Sequence, residues 1–274
     1  MLADLKYVLK IADEGSFAVP AFNVYNMETV MGIIKAAEMK KAPVIIQSYS
    51  RLFTSGNADY LAPIVLEAAG KASIPVCFHL DHGASMAEVV KAIRCGCTGI
   101  MIDASALPVE ENIRITSDAV RICGYAGIPV EGEIGHVGSV KDDMMSPFTQ
   151  VAEAVNFAES AGVAAMAIHV GTAHGRYKKE PKLDISRIRE IHDAVGPFLV
   201  LHGGSGIPDD QIREAIAAGI RKVNIGTDVC YAFLDRVFET SRELVAIDLF
   251  MKDAIDSVAE FAASRIDLLG AGGK

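Results

Sequence analysis

Three features of this sequence predict a barrel of eight parallel strands, each followed by a helix. Eight short apolar runs alternate with amphipathic segments along nearly all of the 274 residues. The runs are continuously apolar rather than alternating, as strands are when both sheet faces are covered. No linker or low-complexity stretch interrupts the series. The expectation is therefore an α/β fold: one (β/α)8 TIM-barrel domain over residues 1–274 with an additional C-terminal helix. A doubly wound open sheet is the alternative.

The repeat can be followed unit by unit. Residues 17–22 (FAVPAF) read as a strand and 27–40 as its helix. Residues 43–47 (PVIIQ) lead to a helix at 58–71, and 75–80 (PVCFHL) to one at 85–94. The fourth unit pairs 99–102 (GIMI) with 109–125, and the fifth pairs 129–133 (PVEGE) with 149–160. The sixth pairs 164–169 (AAMAIH) with 185–195. Residues 198–201 (FLVL) and 209–217 make the seventh, and 222–225 (KVNI) with 228–243 the eighth. Helix ends are marked by small residues, as in Ser160-Ala161-Gly162 and Ala217-Ala218-Gly219. A tail over 249–269 adds one more helix before Gly270-Ala271-Gly272-Gly273.

Composition narrows the function. The chain is 51% hydrophobic, enough for a large core, and its net charge of −9 comes without a basic stripe. Nucleic acid is not the expected partner. No apolar run approaches the roughly 18 residues needed to span a bilayer, so no membrane partner is expected. The first residues lack a signal-peptide pattern. Five cysteines (Cys77, Cys95, Cys97, Cys123 and Cys230) without a CxxC pair suggest free thiols in a reducing compartment.

Three histidines carry the chemistry. His82, His174 and His202 each follow or end an apolar run, or the short loop after it, and each precedes a glycine. In a barrel all three lie at the C-terminal face, where barrel enzymes keep their active sites. Three imidazoles can hold zinc and leave a fourth position open for catalysis. Any one of them alone reads as an ordinary hydrogen-bonded histidine; the set of three does not. His79 and His169, inside strands, read as core groups, His192 as surface, and His136 as a loop residue near the mouth. Asp81 directly precedes His82, so the two side chains should diverge, one to metal and one to substrate. Asp103 ends the fourth strand. Glu131 and Glu133, two apart in the fifth, should share a face, as catalytic groups or as acids that orient histidines. Gly203-Gly204-Ser205-Gly206 and Asn224-Ile225-Gly226-Thr227-Asp228 combine small residues with a helix start, which suits an anion.

These motifs together resemble the class II, metal-dependent ketose-bisphosphate aldolases, the family of fructose- and tagatose-bisphosphate aldolases. The resemblance runs from Ala21-Phe22-Asn23-Val24 and Pro43-Val44-Ile45-Ile46 through His79-Leu80-Asp81-His82-Gly83 and Met101-Ile102-Asp103-Ala104-Ser105. It continues through Val130-Glu131-Gly132-Glu133-Ile134-Gly135 to the His174, His202 and Asn224 segments. It implies that His82, His174 and His202 ligate Zn2+ and that Asp81 donates a proton to the oxygen at C4. It implies that Gly175, Gly203, Gly204, Ser205, Asn224, Gly226 and Thr227 hold a dihydroxyacetone phosphate part, with Asn23 facing substrate. Asp103 and Glu133 match positions that touch the metal or a second metal position. The apolar C-terminal helix suggests a homodimer or homotetramer, in keeping with relatives. A monovalent cation (Na+ or K+) and a small phosphorylated sugar substrate follow from the same resemblance. So does a cytoplasmic place in carbohydrate metabolism, such as glycolysis.

The chain also departs from the pattern. Relatives carry Gly-Gly-x-Glu-Asp where this chain has Gly138-Ser139-Val140-Lys141-Asp142-Asp143. Lys141 thus replaces the glutamate that moves the C3 proton; Asp142 is the expected acid/base and Lys141 a substrate contact. Residues 135–147 read as a loop that closes over substrate. Tyr49 stands where a serine is usual, and Val245-Ala246-Ile247-Asp248 replaces an Asp-Pro-Arg segment. Two readings follow: a zinc lyase that cleaves a phosphorylated ketose, and a non-catalytic metal- and phosphate-binding relative serving as sensor or partner subunit.

Overall fold

A computed structural model of the chain describes residues 1–140, 147–177 and 179–274. Eight parallel strands close into a barrel in sequence order. They are β1 (Val19–Asn23), β2 (Val44–Tyr49), β3 (Val76–Gly83), β4 (Gly99–Ile102), β5 (Val130–Ile134), β6 (Ala165–Ile168), β7 (Phe198–Leu201) and β8 (Ile220–Ile225). β8 pairs back onto β1, with Ala21 opposite Asn224, so no edge is left open. Nearly every strand residue is buried, as parallel strands between a packed lumen and a helical coat must be.

The helical coat comprises α1 (Leu5–Glu14), α2 (Met27–Lys40), α3 (Ser50–Thr54), α4 (Ala58–Lys71), α5 (Met86–Arg94) and α6 (Val109–Tyr125). It continues with α7 (Val151–Ala161), α8 (Ile185–Ala194), α9 (Asp209–Ala217), α10 (Thr227–Glu239) and α11 (Ile247–Leu268). Local sequence explains their starts. Asn26 caps α2 by accepting from Thr29 N at 3.0 Å, Ser85 caps α5, and Asp184 caps α8.

Beyond shifts of a few residues at other element ends, the structure differs from the sequence reading as follows. α1 precedes the first repeat: Asp4 caps it, and Leu5, Val8, Leu9 and Ala12 bury one face. The short α3 follows β2 directly. The first strand begins at Val19, because Ala18 N bonds Leu269 O instead of joining the sheet. The last barrel helix ends at Glu239 rather than 243, since Thr240 turns extended (φ −72°, ψ 134°). The C-terminal α11 buries Ala254, Val258, Ala259, Ala262 and Ile266. It packs on α2, where a Cβ on Gly32 would stand 2.7 Å from Val258 Cγ1.

Candidate metal and substrate site

The chain's polar chemistry gathers at the C-terminal mouth. β3 bulges between Leu80 and Gly83, and His82 takes a left-handed φ of 51°. Such a conformation is costly for a residue with a Cβ and tends to persist at functional sites. It also breaks strand alternation. Asp81 and His82 do not diverge as expected; both line one cavity, with Asp81 Oδ1 3.9 Å from His82 Nε2.

That cavity has a volume of about 470 Å³. Asn23, Asp81, His82, Asp103, His174, Gly175, Gly203, Ser205, Asn224, Gly226 and Thr227 all reach its wall. His202, Gly204 and Glu133 do not; His202 is fully buried behind the wall, against His82. Gly204 packs behind, where a Cβ would stand 2.5 Å from Val223 Cγ1 and 2.7 Å from Asn224 O. Glu133 is fully buried and contacts His202. Asp142 and Lys141 lie outside the described residues. Of the loop expected to close, residues 138–140 bridge to the His174 segment: Val140 N donates to His174 O at 2.9 Å and His174 N to Gly138 O at 2.8 Å.

The three histidines converge. The His82 ring meets those of His174 and His202 edge-on, with centroids 4.8 and 4.7 Å apart. One nitrogen from each ring lies within 4.8 Å of the others, and His82, Asp103 and Glu133 form a second such group. Carboxylates fix which nitrogens face inward. Asp103 Oδ2 accepts from His82 Nδ1 at 2.7 Å, and Glu131 Oε1 accepts from His202 Nε2 at 2.9 Å. What remains is three buried nitrogens without a hydrogen-bond partner: His82 Nε2, His174 Nε2 and His202 Nδ1. Orphaned buried polar atoms are costly and call for an explanation. A metal ion accounts for all three, and carboxylates behind histidines are the usual support of such a centre. The residues present fit a zinc ion.

Glu131 and Glu133 share a face, as their spacing predicted, and both contact His202; Glu133 Oε2 lies 3.1 Å from His202 Nδ1. Asp81 is held from both sides: Oδ2 accepts from Asn23 Nδ2 at 2.7 Å and Oδ1 from Asn224 Nδ2 at 3.2 Å. Burial opposes its ionisation, but His82, His202, Lys222 and the Asn23 bond outweigh it and keep the carboxyl below its usual range. For His174, burial and the neighbouring imidazoles push the pKa down to about 4, so the ring is neutral, as a metal ligand must be.

The remaining wall favours an anion. Gly203 has φ 65°, and a Cβ there would stand 2.5 Å from Ala173 O. The loops after β6 and β7 therefore run backbone to backbone. Tyr177 ties them, accepting from Ala173 N at 2.8 Å and donating to Gly203 O at 3.0 Å. Ser205 Oγ accepts from Asp228 N at 3.2 Å in the first turn of α10, so the glycine turn lies against a helix N-terminus.

Sequence reasoning missed Tyr177, Arg51 and Lys222. Arg51 lines the cavity with its guanidinium carbon 5.4 and 5.1 Å from the Tyr25 and Tyr49 ring centroids. Lys222 is a fully buried lysine in β8, and a charged residue inside an apolar run was the available signal. His79 and His169 are buried, as expected; His192 is only half-buried, with a Cβ on Gly219 standing 2.3 Å from its ring.

Fold and site together define a barrel with a metal-competent, anion-lined mouth. Comparison with known proteins makes this specific. Residues 3–274 match the family model for class II fructose-bisphosphate aldolase. The uncharacterized protein YdjI of Escherichia coli (strain K12) is 38% identical over 279 residues, covering 100% of this chain and 99% of its own length. The chain belongs to the class II fructose-bisphosphate aldolase family and is an aldolase, a carbon–carbon lyase. The crystal structure of the YdjI aldolase from E. coli K12 superposes with a TM-score of 0.90, covering 100% of this chain and 99% of that one. A candidate fructose-1,6-biphosphate aldolase from Coccidioides immitis gives 0.92 at 28% identity, over 98% and 96% of the two chains. The fructose-bisphosphate aldolase of Campylobacter jejuni shares the fold at 22% identity, with a TM-score of 0.85 over 100% and 97%.

Proposed function

We propose that this aldolase is zinc-dependent and reversibly cleaves a phosphorylated ketose, of the fructose- or tagatose-1,6-bisphosphate kind, into dihydroxyacetone phosphate and an aldehyde. The observation that carries the reading is the set of three mutually close, orphaned imidazole nitrogens beside an ionised Asp81 at the cavity. Zinc held by His82, His174 and His202 would supply Lewis acidity toward a substrate carbonyl. Asp81 takes the proton of the C4 hydroxyl as the C3–C4 bond breaks, and the bond's electron pair moves toward the C2 carbonyl. In the condensation direction Asp81 returns that proton to the new C4 oxygen. Asn23 and Asn224 hold the carboxylate and face the substrate beside it. A proton added at C3, assigned to Asp142, completes dihydroxyacetone phosphate.

Gly175, Gly203, Ser205, Gly226 and Thr227 form the phosphate cradle in this reading, with Gly204 packed behind it and a monovalent cation as a further occupant. The far half of the substrate lies toward Arg51, which no described carboxylate pairs. Asp103 and Glu133 serve the metal, by orienting histidines or at a second position. No described helix is long and apolar enough to cross a membrane, and the five cysteines are free, which supports a place in the cytoplasm. A homodimer or homotetramer is supported by exposed Phe238, Val245 and Ile247.

The test is a cleavage assay on zinc-loaded protein with fructose 1,6-bisphosphate, tagatose 1,6-bisphosphate and shorter or deoxy ketose phosphates. Release of dihydroxyacetone phosphate from at least one supports the reading. Inactivity toward all of them would count against it.

A further inference from the structure

We infer that Lys222 is a positioning residue of the metal centre: through Glu131 it sets which nitrogen His202 turns toward the metal. The inference rests on the reading of His202 as a ligand. β5 and β8 are not neighbours in the barrel, so a bond between them crosses its interior. Lys222 reaches across from β8, and its Nζ donates to Glu131 Oε2 at 2.7 Å, with both side chains fully buried. The other oxygen, Oε1, accepts from His202 Nε2 at 2.9 Å. A carboxylate only accepts, so Nε2 carries a hydrogen, which leaves Nδ1, 3.1 Å from Glu133 Oε2, as the nitrogen a metal can take once it is deprotonated. That Nδ1 is one of the three orphaned atoms of the histidine cluster.

The lysine matters because Glu131 has a rival partner. His79 Nε2 stands 3.4 Å from the same Oε2 and has no hydrogen-bond partner. With Lys222 on Oε2, the carboxylate plane is fixed and Oε1 is committed to His202. With Lys222 removed, the carboxylate can rotate between two imidazoles, and His202 loses its fixed tautomer. Lys222 does not line the cavity, and its hydrogen bond to Glu131 is its link to His202; its charge also favours the ionised form of Asp81. The other explanation is that Lys222 merely offsets a buried carboxylate during folding. Stability would then fall on its removal, and the metal site of the folded protein would not change.

Zinc affinity, measured by chelator competition on folded protein, separates the two. Lys222→Met should bind zinc about 10–100-fold more weakly, the usual effect of losing the support behind a ligand. Arg221→Met is the control. It breaks an equally buried strand's contact with Asp13, 2.8 Å away on the outside of the barrel, and should lower stability with zinc affinity kept. Wild-type affinity in folded Lys222→Met would overturn the inference. A measurement on the unaltered protein covers the case in which Lys222→Met does not fold. Nitrogen-15 spectra of histidine-labelled, zinc-loaded wild type should show His202 metallated at Nδ1 with hydrogen on Nε2. The opposite tautomer overturns the inference while leaving zinc binding intact. Failure of wild type to bind zinc overturns the site reading and this inference with it.

Discussion

Asp81 and His82 are adjacent in sequence and meet in one cavity because a single residue adopts a left-handed backbone. That bulge puts the proton-transfer group beside the metal ligands, and it separates two roles that a mutation can test. Asp81→Ala should retain zinc while turnover falls by roughly 10²–10⁴, the usual size of an acid–base contribution. If Asp81 only orients His82, metal content measured on the same preparation would drop with activity. His82 gives a pH prediction. In the metal-free protein burial opposes its charge, but Asp81, the Asp103 bond and Glu133 push the imidazole up to about 9. The folded value lies above the unfolded 6.5. Its contribution to stability is therefore full below 6.5 and lost as pH rises toward about 9. The metal must displace that proton, so zinc affinity should climb with pH over the same window. A flat affinity profile in chelator titrations would contradict this. The ligand histidines were legible because each precedes a glycine at the end of an apolar run or in the short loop after it, and Asp81 because it directly precedes one of them. Their supports were less so: Glu131 could be placed on the right face, but nothing local tells that Lys222, 91 positions away, will meet it.

Among the elements, α11 and α2 show how the tail becomes part of the barrel. Gly32 lets the helices approach until a Cβ would stand 2.8 Å from Ile255 O. Gly32→Ala should lower stability by about 1–3 kcal/mol, the cost of overpacking, with zinc content unchanged. Thermal unfolding of loaded protein checks this; an unchanged or raised midpoint would mean the helices separate freely. The eight strands were readable because parallel strands covered on both faces must be apolar throughout. α1 was missed although its cap and apolar spacing are ordinary, because a helix ahead of the first strand has no place in the β/α repeat. The end of α10 was overestimated because Thr240 turns extended, as its neighbours in sequence do not announce.

For the whole molecule, the apolar face of α11 is covered within the chain. A run of exposed large apolar residues spans the end of α10, the segment after it and the first turn of α11, with Phe238 81%, Val245 82% and Ile247 73% exposed. Sedimentation should show a dimer or tetramer, and Phe238→Lys should shift it toward smaller species; a monomeric wild type would contradict this assignment. Metal content should be about one tight zinc per chain, as three ligands with an open position imply. His202→Ala should abolish tight binding, and stoichiometric zinc in that variant would refute the ligand assignment. The central claim is that this mouth performs zinc-dependent proton and carbon–carbon chemistry on dihydroxyacetone phosphate. Exchange of the C3 proton of dihydroxyacetone phosphate with solvent deuterium, followed by proton NMR, tests it most directly. Zinc-loaded protein should catalyse exchange, chelation should stop it, added zinc should restore it, and Asp142→Asn should suppress it. Zinc-loaded wild type that binds dihydroxyacetone phosphate without exchanging its C3 proton would contradict the account.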